Sequence, residues 1–186
     1  MSFHGNSGKE SKEEETMAEI NELASPVKLK QPVQIGIVVG NLEQATKLLG
    51  ELFGIGPFRF IEWPNRPDSR YFYRGAPEHI KIRQAFAQVG PLELELIQPL
   101  EGDRNAYREF LETKGGGIHH ILFEVEDMES VLAALVPSGI EVLQSGTGIR
   151  PGTRWALLDS LEQVGFLLEL RHRAPGCDGT SIPQNL

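Results

Sequence analysis

Two stretches decide how this chain folds: Gln34-Ile35-Gly36-Ile37-Val38-Val39-Gly40-Asn41-Leu42-Glu43-Gln44-Ala45 and His120-Ile121-Leu122-Phe123-Glu124-Val125-Glu126-Asp127-Met128-Glu129-Ser130-Val131. They lie 86 residues apart and keep that offset throughout. Each reads as a strand of alternating apolar residues that stops at a helix N-cap, Asn41 or Asp127. Such a side chain accepts hydrogen bonds from first-turn amides that have no partner within the helix. After the caps, Leu42, Ala45, Leu48, Leu49 and Leu52, and then Met128, Val131, Leu132 and Leu135, recur at helical spacing. Gly54 and Gly139 end the two helices.

Working outward, each half continues with about three strands. Candidates are Arg70 to Tyr73, Ile82 to Val89, Leu92 to Leu96, Glu141 to Gln144, Arg154 to Leu158 and Phe166 to Leu170. Asn105 to Lys114 reads as a linking helix with Tyr107, Phe110 and Leu111 on one face, broken by Gly115-Gly116-Gly117. The fold expected is α+β, with paired βαβββ modules forming a cupped mixed sheet. Its divisions are an N-terminal tail over 1–29, a first module over 30–102, a linking helix and glycine break over 103–117, a second module over 118–173 and a C-terminal tail over 174–186. Met17 to Leu23 has room for two helical turns within the first tail.

Composition narrows the function. With 186 residues, a net charge of -8 and 40% apolar content, the chain suits one soluble domain and not a nucleic-acid-binding surface. No run of eighteen apolar residues exists, so no membrane span is expected. The single cysteine, Cys177, excludes an intrachain disulfide and a Cys-type zinc site, and reads as an incidental thiol. No secretory signal is evident at Met1-Ser2-Phe3-His4, so a cytoplasmic location is the expectation.

Period-two alternation then assigns faces. Ile35, Ile37 and Val39 should face the helix layer, with Gln34, Gly36 and Val38 on the concave side. By the same parity His120, Glu95 and Glu169 are concave, while His119 falls on the opposite face as a packing or supporting residue. Symmetric packing of the modules would gather Gln34, Glu95, His120 and Glu169 at one centre. An amide, an imidazole and two carboxylates are a plausible donor set for one divalent ion, with Co, Ni, Zn and Mn as candidates. Tyr71, Tyr73, Arg83, Arg154 and Arg171 either shape and charge a pocket for an anionic substrate or are solvated strand residues.

The run Gly115-Gly116-Gly117-Ile118-His119-His120-Ile121-Leu122-Phe123-Glu124-Val125-Glu126-Asp127-Met128 resembles the second-module signature of methylmalonyl-CoA epimerases, members of the vicinal oxygen chelate (glyoxalase/bleomycin resistance) superfamily. Glu93 to Leu100 and Leu167 to Leu170 resemble two further strands of that family, so the likeness covers about residues 33 to 173. It implies a cupped fold around a metal, with His120, Glu169 and Glu95 at ligand positions and Gln34 where epimerases usually carry histidine. A Gln, Glu, His, Glu set is similar to that of eukaryotic-type glyoxalase I. The activity implied is an isomerase or epimerase that moves a proton next to a carbonyl through a metal-stabilised enolate, with Glu169 and Glu95 as the proton-transfer groups. The alternatives are a glyoxalase I-type lyase and a non-catalytic small-molecule binder of the bleomycin-resistance kind. The expected partners are a small carbonyl or acyl-CoA substrate and a second copy of the chain in a homodimer.

Overall fold

The computed structural model describes residues 27–175. The N-terminal stretch that includes Met17 to Leu23, and the C-terminal stretch that includes Cys177, lie outside the described residues. The first module opens with β1 (Pro32–Val38), α1 (Leu42–Phe53) and β2 (Arg59–Trp63). It continues through a short hairpin, β3 (Tyr71–Tyr73) and β4 (Ala76–Pro77), to the long strands β5 (Lys81–Val89) and β6 (Leu92–Glu101). The linking helix α2 (Ala106–Lys114) leads into the second module. This comprises β7 (Gly117–Glu124), α3 (Met128–Leu135), β8 (Val142–Thr147), β9 (Thr153–Leu158), the single turn α4 (Leu161–Val164) and β10 (Leu167–Arg173).

One sheet contains all ten strands, in the order β2-β5-β6-β1-β7-β10-β9-β8-β3-β4. Its first eight positions show the duplication directly. β1 runs parallel to β6 as β7 runs parallel to β10, and in each module two antiparallel strands follow outward. The modules join within one chain through antiparallel β1 and β7. There Ile35 faces Ile121, while Gly36 faces His120 and Gln34 faces Leu122. A pseudo-two-fold axis therefore passes between Ile35 and Ile121, relating Gln34 to His120.

The helices form where the caps place them. Asn41 Oδ1 accepts from the Gln44 amide at 2.9 Å and Asp127 Oδ1 from the Ser130 amide at 3.0 Å. Gly54, at φ 67°, ends α1 in the left-handed conformation that glycine adopts without steric cost. α3 stops at Leu135, and a 3-10 turn over Val136–Ser138 runs on to Gly139. On the outer face of the sheet, Leu42 of α1 packs on Ala85 and Leu96, and Met128 of α3 packs on Ala156, Leu158 and Leu170. Full burial of a side chain such as Leu42 or Leu170 is worth about 1.5–3 kcal/mol.

The concave side has its own apolar cluster, built from Val38, Trp63, Tyr71, Tyr73, Ile97, Leu157 and Leu167 with Ala106 and Tyr107 of α2. α2 thus plugs one end of the cup. Two features depart from the sequence-based expectation. Strand β2, flanked by Pro57 and Pro64, has no alternating signature of its own, yet it forms the first module's edge against β5. The strand at Tyr71–Tyr73, counted with the first module, pairs instead with β8 of the second. Residues 64–70 carry the chain across, held by Asn65 Nδ2 donating to Ile149 O at 3.0 Å and the Arg70 amide donating to Thr147 Oγ1 at 2.9 Å.

This crossing depends on a close backbone approach at Gly146, where a Cβ would lie 2.6 Å from Arg70 O and 3.0 Å from the Trp155 ring. Gly146→Ala should cost about 1–3 kcal/mol, the usual range for overpacking, read as a lower denaturation midpoint in urea. An unchanged midpoint would mean that the β3 hairpin does not lock against β8.

Candidate functional site

The two central strands and their parallel partners bring the polar concave residues together. β6 places Glu95 beside Gly36, β7 places His120 on the other side of Gly36, and β10 places Glu169 beside Leu122. A Cβ on residue 36 would stand 2.0 Å from His120 Cε1 and 2.2 Å from Nε2, so the imidazole occupies the space that only glycine leaves free. The pseudo-two-fold mate of Gly36 is Leu122, opposite Gln34. Gln34 is buried, and its amide donates from Nε2 to Glu93 Oε2 at 2.7 Å.

His120 is fully buried, Glu95 is 5% exposed and Glu169 6% exposed. His120 Nε2 lies 3.1 Å from Glu169 Oε2 and 3.4 Å from Glu95 Oε2, within ion-pair range of both but aligned as a hydrogen bond to neither. Gln84 of β5 donates its amide to Glu95 Oε1 and fixes that carboxylate. The structure therefore joins three of the four residues expected at the centre, with Gln34 beside them and turned toward Glu93.

His119 completes the arrangement from behind. The β1–β7 register shifts between Gly36 and Ile37, so that His119 is an extra residue in β7. Its ring packs against Tyr107 and Phe110 of α2, and its Nδ1 meets His120 Nδ1 at 3.0 Å. His119 packs as expected, but on the concave side with α2 and not on the opposite face that strict alternation assigns it, because the bulge reverses its direction. Burial and then the neighbouring His120 hold His119 well below the ordinary histidine pKa, so it is neutral. A neutral His119 can accept the Nδ1 proton of His120, leaving Nε2 of His120 to face the carboxylates.

The ionisation states follow from burial and mutual charge. Burial disfavours the His120 cation, but Glu169 and Glu95 outweigh that penalty and raise its pKa. Glu169 is pushed up to about 7, first by burial and then by Glu95, against the opposing charges of His120 and Arg171. Tyr107, read from sequence only as part of an apolar helix face, belongs to the same neighbourhood. Burial, then Glu169 and Glu95, drive its phenol well above the ordinary value, so it stays protonated. Below it, Gln144 Oε1 accepts from Tyr71 Oη at 2.6 Å and from the Ala106 amide at 2.7 Å. Of the residues considered for a charged pocket, Tyr71 and Tyr73 are core residues. Arg83 and Arg154 point to the helix side, bound to Glu43 at 3.0 Å and Glu129 at 2.7 Å, because their strand parity is opposite to the site's. Arg171 alone stays near the centre.

The family model described as Glyoxalase/Bleomycin resistance protein/Dioxygenase superfamily matches residues 33–156. The chain belongs to this superfamily. A Bacillus subtilis relative, the uncharacterized protein YqjC, is 29% identical over 140 residues, covering 73% of this chain and 87% of the relative. An ethylmalonyl-CoA/methylmalonyl-CoA epimerase of Cereibacter sphaeroides is 38% identical over 71 residues, covering 38% of this chain and 52% of that protein. Among solved structures, a methylmalonyl-CoA epimerase in complex with methylmalonyl-CoA and NH4+ superposes with a TM-score of 0.59 at 22% identity, covering 80% of this chain and 97% of that one. The cupped sheet is thus the superfamily's fold.

Replacing one carboxylate removes part of the field that favours the His120 cation. In chelator-treated protein, Glu95→Gln should lower the His120 pKa, followed by the imidazole proton shifts in an NMR titration. An unchanged or higher value would separate Glu95 electrostatically from His120.

Proposed function

We propose that this protein is an isomerase or epimerase that moves a proton on the carbon next to a carbonyl, using one divalent ion held by Glu95, His120 and Glu169. The observation that carries the reading is the unaligned Nε2 of buried His120, set between two carboxylates at 3.1 and 3.4 Å. Two carboxylates and an imidazole suit a divalent ion, and His120 Nε2 faces both carboxylates. Gln34 would become a fourth donor by releasing Glu93. When bound, the ion supplies positive charge that stabilises an enolate.

The chain's own groups supply the proton transfers. Without the ion, burial and Glu95 raise the affinity of Glu169 for a proton to a pKa of about 7, and this carboxylate is the group placed to accept the substrate's proton. Glu95 stands on the other side of His120 and is held by Gln84, so the two carboxylates can serve opposite faces of a substrate carbon. His119 fixes the imidazole through Nδ1, the usual way a supporting group sets which ring nitrogen is free. The apolar cluster around α2 closes the far end and keeps bulk water from a carbanionic carbon. An acyl-CoA fits this chemistry, since a thioester acidifies the adjacent carbon, and the Cereibacter sphaeroides epimerase supports that substrate class by its name. A glyoxalase I-type lyase is the second reading, favoured by the Gln34, Glu95, His120, Glu169 set, and it needs the same proton transfer.

Glu169→Gln keeps an oxygen donor and removes the proton-accepting charge. With metal content equalised, exchange of the α-proton of methylmalonyl-CoA or a 2-oxo compound with deuterated water should fall by about two to four orders of magnitude. Near-normal exchange would show that Glu169 is not the base. Absence of exchange in the unaltered metal-loaded protein with every trial substrate would favour a non-catalytic binder.

A further inference from the structure

The end of the cup opposite α2 carries a concentration of arginines that the proton-transfer chemistry does not use. β1, β2 and β6 begin at this end, and β10 runs antiparallel to β1 and finishes there. Arg59 therefore opens β2 at the same end where Arg171 and Arg173 close β10. Arg150 lies in the connection between β8 and β9, next to the start of β9 that pairs with the end of β10. Arg59, Arg171 and Arg173 share the concave parity of Glu169, and Arg150 lies near enough to feel the charge of all three. In a chain of net charge -8, such a gathering runs against the average composition.

The carboxylates nearby do not use up these donors. Arg171 and Arg173 both bond to one oxygen of Glu124, at 2.9 and 2.6 Å. Arg59 lies over the Phe86 ring at 4.6 Å and stands 3.9 Å from Glu93, which already accepts the Gln34 amide. The NH1 nitrogens of Arg59 and Arg150 are buried and have no hydrogen-bond partner among the described residues. Burial, then the positive charges of Arg173, Arg59 and Arg171, lower the Arg150 pKa, with Glu93 acting the other way. Arg150 thus senses the other three. Buried, unfilled guanidinium donors close to like charges are costly unless an anion joins them, and a guanidinium fork matches the geometry of carboxylate and phosphate oxygens.

We infer that Arg59, Arg150, Arg171 and Arg173 form an oxyanion subsite at the entrance to the His120 centre, so that the substrate is an anion whose carboxylate or phosphate is held there while its carbonyl end reaches Glu169. This deepens the proposed function and rests on it for the reacting end alone; the anion subsite stands on the arginine geometry.

The test uses the full chain treated with chelator, so that a missing metal or a missing activity does not enter the result. Malonate, inorganic phosphate and the uncharged malonamide are titrated by calorimetry. Malonate or phosphate should bind saturably and malonamide should not. Arg150→Gln and Arg59→Gln should each weaken the anion by about tenfold, the worth of one charge-assisted hydrogen bond. Arg150→Lys should recover part of the loss. Arg154→Gln, which removes an equal charge from the helix side, should leave the affinity unchanged. Tighter malonate assigns the subsite to a carboxylate, and tighter phosphate to a phosphate-bearing substrate. Anion binding that ignores Arg59 and Arg150, or is absent from protein with an unaltered circular dichroism spectrum, would overturn the inference.

Discussion

The antiparallel pairing of β1 with β7 carries the rest of the molecule. Ile35 and Ile121 face each other there, and every other feature is arranged in relation to that pair. A slip by one residue would turn Gln34 and His120 into the helix layer and bring Ile35 and Ile121 into the cup, since side chains alternate with a period of two. The register is pinned from both sides. Gly36 leaves the space that the His120 ring fills, and the extra residue at His119 takes up the shift beyond it.

That register brings three ionisable groups into a buried place, which demands compensation. His120 with Glu95 and Glu169 forms a mutually stabilising set, in which each carboxylate raises the basicity of the imidazole and Glu95 raises that of Glu169. The surroundings reinforce this polarity. Gln84 holds Glu95, and His119 meets the far side of the imidazole. Tyr107 offers a phenol that stays neutral beneath them. At one end the cup is plugged by an apolar helix; at the other it is rimmed by arginines.

The duplication is not symmetric at the centre of the sheet. The pseudo-two-fold axis relates Gly36 to Leu122, and this one difference gives His120 room. The β3–β4 hairpin is a second asymmetry. It leaves the first module after Trp63 and extends the second module's edge at β8, so the two halves are tied together at the centre and again at the rim. Trp63, Tyr71 and Trp155 pack in series as tilted ring pairs at this closure, with centroid separations of 5.9 and 6.3 Å.

The sequence by itself determined the repeat, the helix caps and the concave parity of Glu95, His120 and Glu169, because caps and period-two alternation are local properties of the backbone. It determined the linking helix for the same reason. The destination of Tyr71 to Tyr73 was not legible, since three residues carry no mark of which edge they will join. Strand β2 was hidden between prolines, and the inward turn of His119 was hidden because a bulge arises from pairing and not from the bulged strand alone. The site's electrostatics belong wholly to the tertiary structure. Gln84, Glu93, Tyr107, Arg59 and Arg150 are distant in sequence from His120, and only the curl of the sheet brings them into its neighbourhood. Charge and burial act through space at distances that alternation along one strand cannot specify.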